Sequence, residues 1–229
     1  MMRVTYVNHS GFFVELEDAY FLFDYYHGKI PEDLADKKCY VFSSHAHFDH
    51  YTKKIFRLRE RFSKVYYILS SDIKTQESEL VYKVDPQEEL ELEGCHIRTL
   101  KSTDEGVAYL LQYKNKTIYH AGDLNWWHWE EEGDNFNLPM GEAYRSAIDS
   151  LGHQKIDLAF VPTDLRLEDA YFWGIRYFLE HTDTRYVFPM HFWDEYEVFD
   201  RLRHQPELEP YREQIMMIQS DGQTFELER

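Results

Sequence analysis

Apolar positions along this chain recur with two different spacings. Val4 to Val7, Phe12 to Leu16 and Tyr20 to Phe23 are short alternating or continuous apolar runs. Turn residues at Ser10-Gly11 and Glu17-Asp18 separate them, so each reads as a strand. Cys39 to Ser43 and Val65 to Leu69 are two further strands, and between them Ile55, Leu58, Arg59 and Phe62 fall on a helical period. From Glu91 to His120 the pattern predicts three or four strands, turning at Glu93-Gly94 and at Lys114-Asn115-Lys116. Met140, Ala143, Tyr144, Ala147, Ile148 and Leu151 then mark one face of a helix, with Asn137 as its cap and Pro139 in its first turn. A buried strand over Ile156 to Val161 stops at Pro162, Asp169 to Glu180 reads as helix and Tyr186 to Met190 as strand. Asp194-x-x-Glu197 has the form of a capping box opening a last helix. No repeat, low-complexity tract or Pro/Gly-rich linker interrupts this alternation. The expectation is an α/β chain forming one layered domain over residues 1–229.

Composition narrows the function classes. A chain of 229 residues with 18 Tyr, 16 Phe and 5 Trp can bury a substantial core and is not a disordered segment. No apolar run approaches the roughly 20 residues that span a bilayer, and the N-terminal residues lack a signal-peptide stretch. Cys39 and Cys95 are far apart and in no C-x-x-C pattern, which fits a reducing compartment and makes the cytoplasm the expected location. With 42 acids against 25 bases, the formal charge is −17. That balance disfavours nucleic acid as partner, because phosphate neutralisation needs clustered Lys and Arg. The basic residues of Arg57 to Lys64 read only as a helix face.

The chemistry concentrates in Ser44-His45-Ala46-His47-Phe48-Asp49-His50. With 12 His in the whole chain, H-x-H-x-D-H would arise by chance only about 0.0025 times. His45 and His47 leave the same face of an extended segment, while Asp49 and His50 follow where the chain turns. That spacing can hold one metal on the paired histidines and a second on the Asp-His pair; the alternative is a polar loop with clustered histidines. Two other strand ends carry candidate ligands: Tyr119-His120-Ala121-Gly122-Asp123 and Phe188-Pro189-Met190-His191. Alone, a strand-end His is more often a satisfied structural residue than a ligand. Alongside the first cluster these positions gain weight.

These motifs, in this order, resemble the metallo-β-lactamase superfamily. Asn8-His9-Ser10-Gly11-Phe12, Phe23-Asp24 and His120-Ala121-Gly122-Asp123 are similar to a branch of small metal-dependent hydrolases that includes ascorbate-6-phosphate lactonases. The resemblance covers nearly the whole chain. It implies an αββα sandwich of two mixed sheets flanked by helices. It also implies a binuclear centre with His45 and His47 on one metal, Asp49, His50 and His191 on the other, and Asp123 bridging. Asp24 matches an aspartate that orients a ligand histidine. One or two divalent ions, zinc by preference and manganese or iron otherwise, would lower the pKa of a shared water from 15.7 toward ~7 and give hydroxide at neutral pH. Asp49 would orient that nucleophile or take a proton.

One position departs from the family. Where a third His for the first metal is usual, the chain reads Leu100-Lys101-Ser102-Thr103-Asp104-Glu105-Gly106-Val107. Asp104 is the best substitute and His96 the other candidate, though His96 lies inside a strand. Alternatively, Ser102 to Asp104 is only a polar turn and the first site is weak. An oxygen ligand there would favour manganese or iron over zinc.

Trp126 and Trp127, close behind Asp123, fit a pocket wall, a core anchor or a homo-oligomer interface. Arg166 either binds an anionic substrate or pairs with Asp164 or Glu168. The leading expectation is a hydrolase of a small, anionic ester, lactone, amide or phosphodiester. A metal-binding sensor without turnover and a nuclease of the same superfamily are the alternatives.

Overall fold

The computed structural model describes residues 2–32, 34–77 and 79–228. The chain divides into two compact units, Met1–Asp85 with Gln219–Arg229, and Pro86–Ile218. The first unit contains β1 (Met2–Asn8), β2 (Gly11–Glu15), β3 (Ala19–Phe23), β4 (Lys38–Ser43), β5 (Val65–Ser70) and β6 (Val81–Val84). The second contains β7 (Glu89–Leu92), β8 (Cys95–Lys101), β9 (Val107–Tyr113), β10 (Lys116–His120), β11 (Lys155–Ile156), β12 (Leu158–Pro162), β13 (Asp183–Thr184) and β14 (Val187–Met190). Its helices are α1 (Asp134–Asp149), α2 (Trp173–His181) and α3 (Glu197–His204). The last strand, β15 (Thr224–Leu227), belongs to the first unit. This is a mixed α/β chain, as the alternating pattern predicts, with two large mixed sheets, as the family resemblance implies. No helix of the described residues is long and apolar enough to cross a membrane.

In the first unit the sheet order is β15-β1-β2-β3-β4-β5-β6. β15, β1, β2 and β3 pair antiparallel, and β3 through β6 pair parallel. β3 and β5 are buried on both faces, which is why Ala19–Phe23 and Val65–Ser70 are apolar almost without interruption. One face carries an aromatic ladder set by register. Phe21 stacks on its partner Tyr40 at 5.1 Å and Tyr40 on its partner Tyr66 at 5.2 Å, while Phe23 stacks on Phe42 at 5.0 Å. Each such pair adds about 0.5–1.5 kcal/mol beyond its area burial. The opposite face packs Val41, Tyr67 and Leu69 with Ile55, Leu58 and Phe62. These last three belong to the expected helical stripe; Ile55 and Leu58 lie on a 3-10 segment over Lys53–Glu60 that Thr52 caps, and Phe62 follows its end. Arg59 lies outside the stripe, on Glu77 at 3.1 Å.

In the second unit the order is β14-β12-β10-β9-β8-β7, with β11 and β13 paired separately. The strand expected over Ile156 to Val161 is split at Asp157. Its N–H donates to Thr117 O, and its carboxylate accepts from the Thr117 N–H and the Lys116 ammonium. The helix expected to start at Asn137 begins a turn earlier at Asp134. Asn137 instead donates to the carbonyls of Trp129 and Glu132 and accepts the Trp129 N–H, tying down the preceding loop. Pro139 therefore sits past the first turn. The helix expected over Asp169 to Glu180 starts later, as α2 at Trp173, because Asp169 and Ala170 end a 3-10 segment, Leu165–Ala170, that is kinked at Glu168 (φ 51°). No capping box forms at Asp194, which is left-handed at φ 61°, and α3 starts after Tyr196 without a side-chain cap.

Two outcomes follow from this packing. Cys39 is fully buried and burial pushes its thiol far above the ordinary range. The native thiol should therefore react with Ellman's reagent only as fast as the chain unfolds; rapid titration of both thiols in the folded protein would contradict this packing. On α2, the Gly174 carbonyl accepts the Tyr144 hydroxyl at 2.7 Å, and a Cβ on Gly174 would run into the Asn125 side-chain carbonyl. Gly174→Ala should cost about 1–3 kcal/mol, read as a lowered melting temperature.

Candidate metal-ligand clusters

In the first unit, donors gather where β3, β4 and the β1–β2 turn end. β3 runs out at Asp24, whose φ of 40° is left-handed for a non-glycine residue. Such strain persists only where the surroundings over-determine it. The Ser44 N–H donates to Asp24 Oδ1 at 2.7 Å and the Ser44 hydroxyl to Oδ2 at 2.6 Å. His50 Nδ1 lies 2.7 Å from the same Oδ2. With a carboxylate as partner, His50 carries its proton on Nδ1 and presents the Nε2 lone pair elsewhere. Gly11 allows this crowding, because a Cβ there would stand 2.9 Å from Asn8 O and 3.3 Å from Asp24 O.

His50 Nε2 faces Asp49 Oδ2 at 3.8 Å, and His9 Nε2 faces the same oxygen at 3.5 Å. These separations are long for hydrogen bonds. They are close to the ~3.4 Å between two ligands of one tetrahedral ion with bonds of about 2.1 Å. Burial pushes the Asp49 carboxyl up, but the His9 and His50 imidazoles outweigh that and hold it well below the usual carboxylate range. His45 is buried, with its ring 4.2 Å from His50 and 4.5 Å from His47, and its Nδ1 is 3.0 Å from Ser44 Oγ. The segment is a series of bends rather than an extended strand, yet His45 and His47 remain neighbours. His47 is exposed, and the loop is pinned by the Ala46 N–H on the Asp72 carboxylate at 2.8 Å.

A second set of donors lies within the second unit. β10 delivers Asp123 through Gly122, whose φ of 52° makes the turn. Thr103 Oγ1 accepts the Asn125 N–H at 3.0 Å and donates to Asn125 O at 2.7 Å, stitching the turn of Asp104 to the loop of Asp123. The two aspartates offer carboxylate oxygens within 4.8 Å of each other. Two carboxylates that close repel unless a cation or proton lies between them. His96, the other candidate for this position, is on the β7–β8 ladder with Glu89 at 3.4 Å and Glu91 at 3.9 Å.

β14 ends on His191, left-handed at φ 62° and buried. Its Nδ1 lies 3.0 Å from Asp164 Oδ2 and its Nε2 3.6 Å from Asp123 Oδ1. Asp164 is inaccessible to solvent. Burial pushes its carboxyl up, but His191 and Arg166 outweigh this and bring it down to about 2. Arg166 thus pairs with Asp164, its Nε within 2.9 and 3.0 Å of the two oxygens, and its guanidinium lies over the rings of Trp129 and Trp193. Trp127 donates its indole N–H to Asp123 O at 2.9 Å and sets its ring 5.4 Å from His191. Trp126 does not join it: that ring packs on Tyr144, Trp173 and Tyr177 under Arg145, among the side chains of α1 and α2.

Sequence reasoning passed over two members of these sets. His9 was visible only within its motif, because a single His beside a turn carries no spacing signal. Asp164 reads in the sequence only as a partner for Arg166, since its contact with His191 is across two loops. The donor sets fit divalent ions: imidazole Nε2 atoms and carboxylates face one another at inter-ligand distances, with the Nδ1 atoms of His50 and His191 held by buried aspartates.

A family model described as "Beta-lactamase superfamily domain" matches residues 3–164, and the chain belongs to that superfamily. No curated protein sequence matches the chain. Among solved structures, the chain is similar to Igni18, a novel metallo hydrolase from Ignicoccus hospitalis KIN4/I, at 16% identity and a TM-score of 0.64, covering 99% of both chains. It is similar to the metallo-beta-lactamase fold protein YhfI from Bacillus subtilis at 16% identity and 0.60, covering 99% of this chain and 100% of that one. CmlA, a diiron beta-hydroxylase from Streptomyces venezuelae, matches at 14% identity and 0.55, over 96% of this chain and 48% of its own. At these identities the likeness shows a shared fold.

Asp24 tests the geometry of the first set. Asp24→Ala removes the acceptor of the Ser44 N–H and of His50 Nδ1, and should destabilise the chain by about 3 kcal/mol. Chemical denaturation in the presence of a chelator measures this without any contribution from metal; an unchanged midpoint would show that the buried carboxylate does not hold the loop.

Proposed function

We propose that this protein is a metal-dependent hydrolase of a small, anionic ester, lactone, amide or phosphodiester. One observation carries the reading: each unit presents a histidine whose Nδ1 is held by a buried aspartate and whose Nε2 faces a second carboxylate. These are His50 between Asp24 and Asp49, and His191 between Asp164 and Asp123. Membership of the superfamily supports drawing ligands from both sets. His45, His47 and Asp104 would serve one ion, Asp49, His50 and His191 the other, and Asp123 both. His9 joins the Asp49 set. Bound divalent ions supply an acidified water and positive charge against the developing oxyanion.

The residues do the rest. Asp49, ionised at neutral pH, accepts a hydrogen bond from the attacking water and orients it. Trp127 walls the His191 side, and Arg166, fixed by Asp164 between two indoles, turns a rigid cation toward an anionic group. Imidazole donors favour zinc. The Asp104–Asp123 carboxylate pair draws the first site toward manganese or iron.

Protein purified without chelators should carry roughly one to two equivalents of transition metal per chain. His50→Ala should abolish turnover of an ester, lactone and phosphodiester panel together with the metal it holds. Asp104→Ala should lower the stoichiometry or weaken one site 10–100-fold. Metal analysis that finds none, with no uptake on titration, would sink the reading; unchanged stoichiometry and unchanged metal affinity in Asp104→Ala would remove that ligand alone.

A further inference from the structure

The second unit contains a groove of about 800 Å3, within the about 300–1,000 Å3 of small-molecule pockets. One wall is the face of α1 that carries Phe136, Pro139, Met140, Ala143 and Ala147, spaced three and four apart. The other wall is the run from Arg98 to Asp104 at the end of β8. The small Ala143 and Ala147 keep the groove open, and Phe136, 40% exposed, lends it apolar surface.

Arg98 is the anomaly. It stands directly opposite Glu89 in the β7–β8 ladder, where a cross-strand ion pair would be expected. Glu89, which also borders the groove, gives its carboxylate to His96 Nε2 at 3.4 Å instead. Among the described residues none accepts a hydrogen bond from the Arg98 guanidinium, and its Nη2 is buried without a partner. Arginine cannot shed its proton in a protein. A buried, unmatched guanidinium nitrogen is costly, and a carboxylate or phosphate oxygen is the partner that matches its fork. In a chain of net charge −17 with 42 acids, leaving such a cation unmatched is the more unusual. Lys101, exposed on the rim, adds a second positive charge.

We propose that this groove binds an amphipathic oxyanion, with its carboxylate or phosphate on Arg98 and its apolar body along α1 beside Met140 and Ala143. Asp104 borders the same groove. The bound molecule is therefore the non-reacting part of the substrate, a statement that rests on the hydrolase reading, whereas binding itself does not.

Isothermal titration of the protein as purified, with and without chelator, uses dodecanoate and dodecyl phosphate below their micelle concentrations and dodecyltrimethylammonium as the cationic control. Both anions should bind in either condition, and the tighter of the two names the headgroup. Arg98→Gln should weaken them about 10–100-fold without affecting the cation, and Ala143→Phe should abolish binding by filling the groove, with unchanged circular dichroism. Ala147→Phe replaces Ala143→Phe should the latter fail to fold. The proposal falls if neither anion binds, if Arg98→Gln has no effect, or if the cation binds as well as the anions. It also falls if wild type binds nothing and sedimentation shows a dimer that Ala143→Phe dissociates, because the groove would then be a contact between copies. Protein that carries no metal when purified without chelator and takes up none on titration, yet binds the anions, would overturn the hydrolase reading and leave the groove standing.

Discussion

A buried carboxylate is tolerable only while every oxygen has donors, and Asp24 is the case on which the first unit's cluster depends. Burying an ionised carboxylate without partners costs several kcal/mol, enough to neutralise it or unfold the chain around it. Ser44 satisfies it twice, through its N–H and its hydroxyl, and His50 satisfies it once more. The exit of β4 is thereby fixed to the exit of β3, and the imidazole of His50 has one orientation. Asp164 repeats the solution in the second unit with His191 and Arg166 as its donors.

Strain sits beside these carboxylates and the core absorbs it. His9, Asp24, His191, Trp193 and Asp194 all occupy the left-handed region, at about 1–2 kcal/mol each for residues bearing a Cβ. They cluster at strand ends, where a sharp change of direction aims a side chain without lengthening the loop. The strands behind them are rigid. β3 to β5 are locked by stacked aromatic pairs, and β10 is fixed through Tyr119, whose ring stacks on Phe178 of α2 at 4.9 Å.

Much of this was legible in the chain, for identifiable reasons. β1 to β5 and β8 to β10 are apolar runs cut by turn residues, and local pattern defines such elements to within a residue or two. The H-x-H-x-D-H segment and Asp123 were legible because ligands close in sequence leave a spacing signature. Where prediction failed, tertiary contacts had overridden local preference. Asn137 has the chemistry of a helix cap but is used to hold the carbonyls of Trp129 and Glu132. Asp157 interrupts a continuous apolar run because Lys116 and Thr117 need its carboxylate. Trp126 sits next to Trp127 in sequence and yet packs on helix side chains instead. Pairings such as His9 with Asp49, or Asp164 with His191, join residues tens of positions apart, and no local period encodes them.

β15 lies at the opposite end of the chain from its partner β1, with Met2 registered on Leu227 and Thr5 on Thr224. The second unit is one continuous stretch of chain and can close as soon as it has been synthesised. The first is discontinuous, and its sheet keeps β1 as a bare edge until residues 224–227 emerge. During that interval β1 offers unpaired backbone N–H and C=O groups to any strand that meets it, the geometry through which sheets aggregate. The His45–His50 loop is thus carried on the part of the molecule whose sheet is completed last.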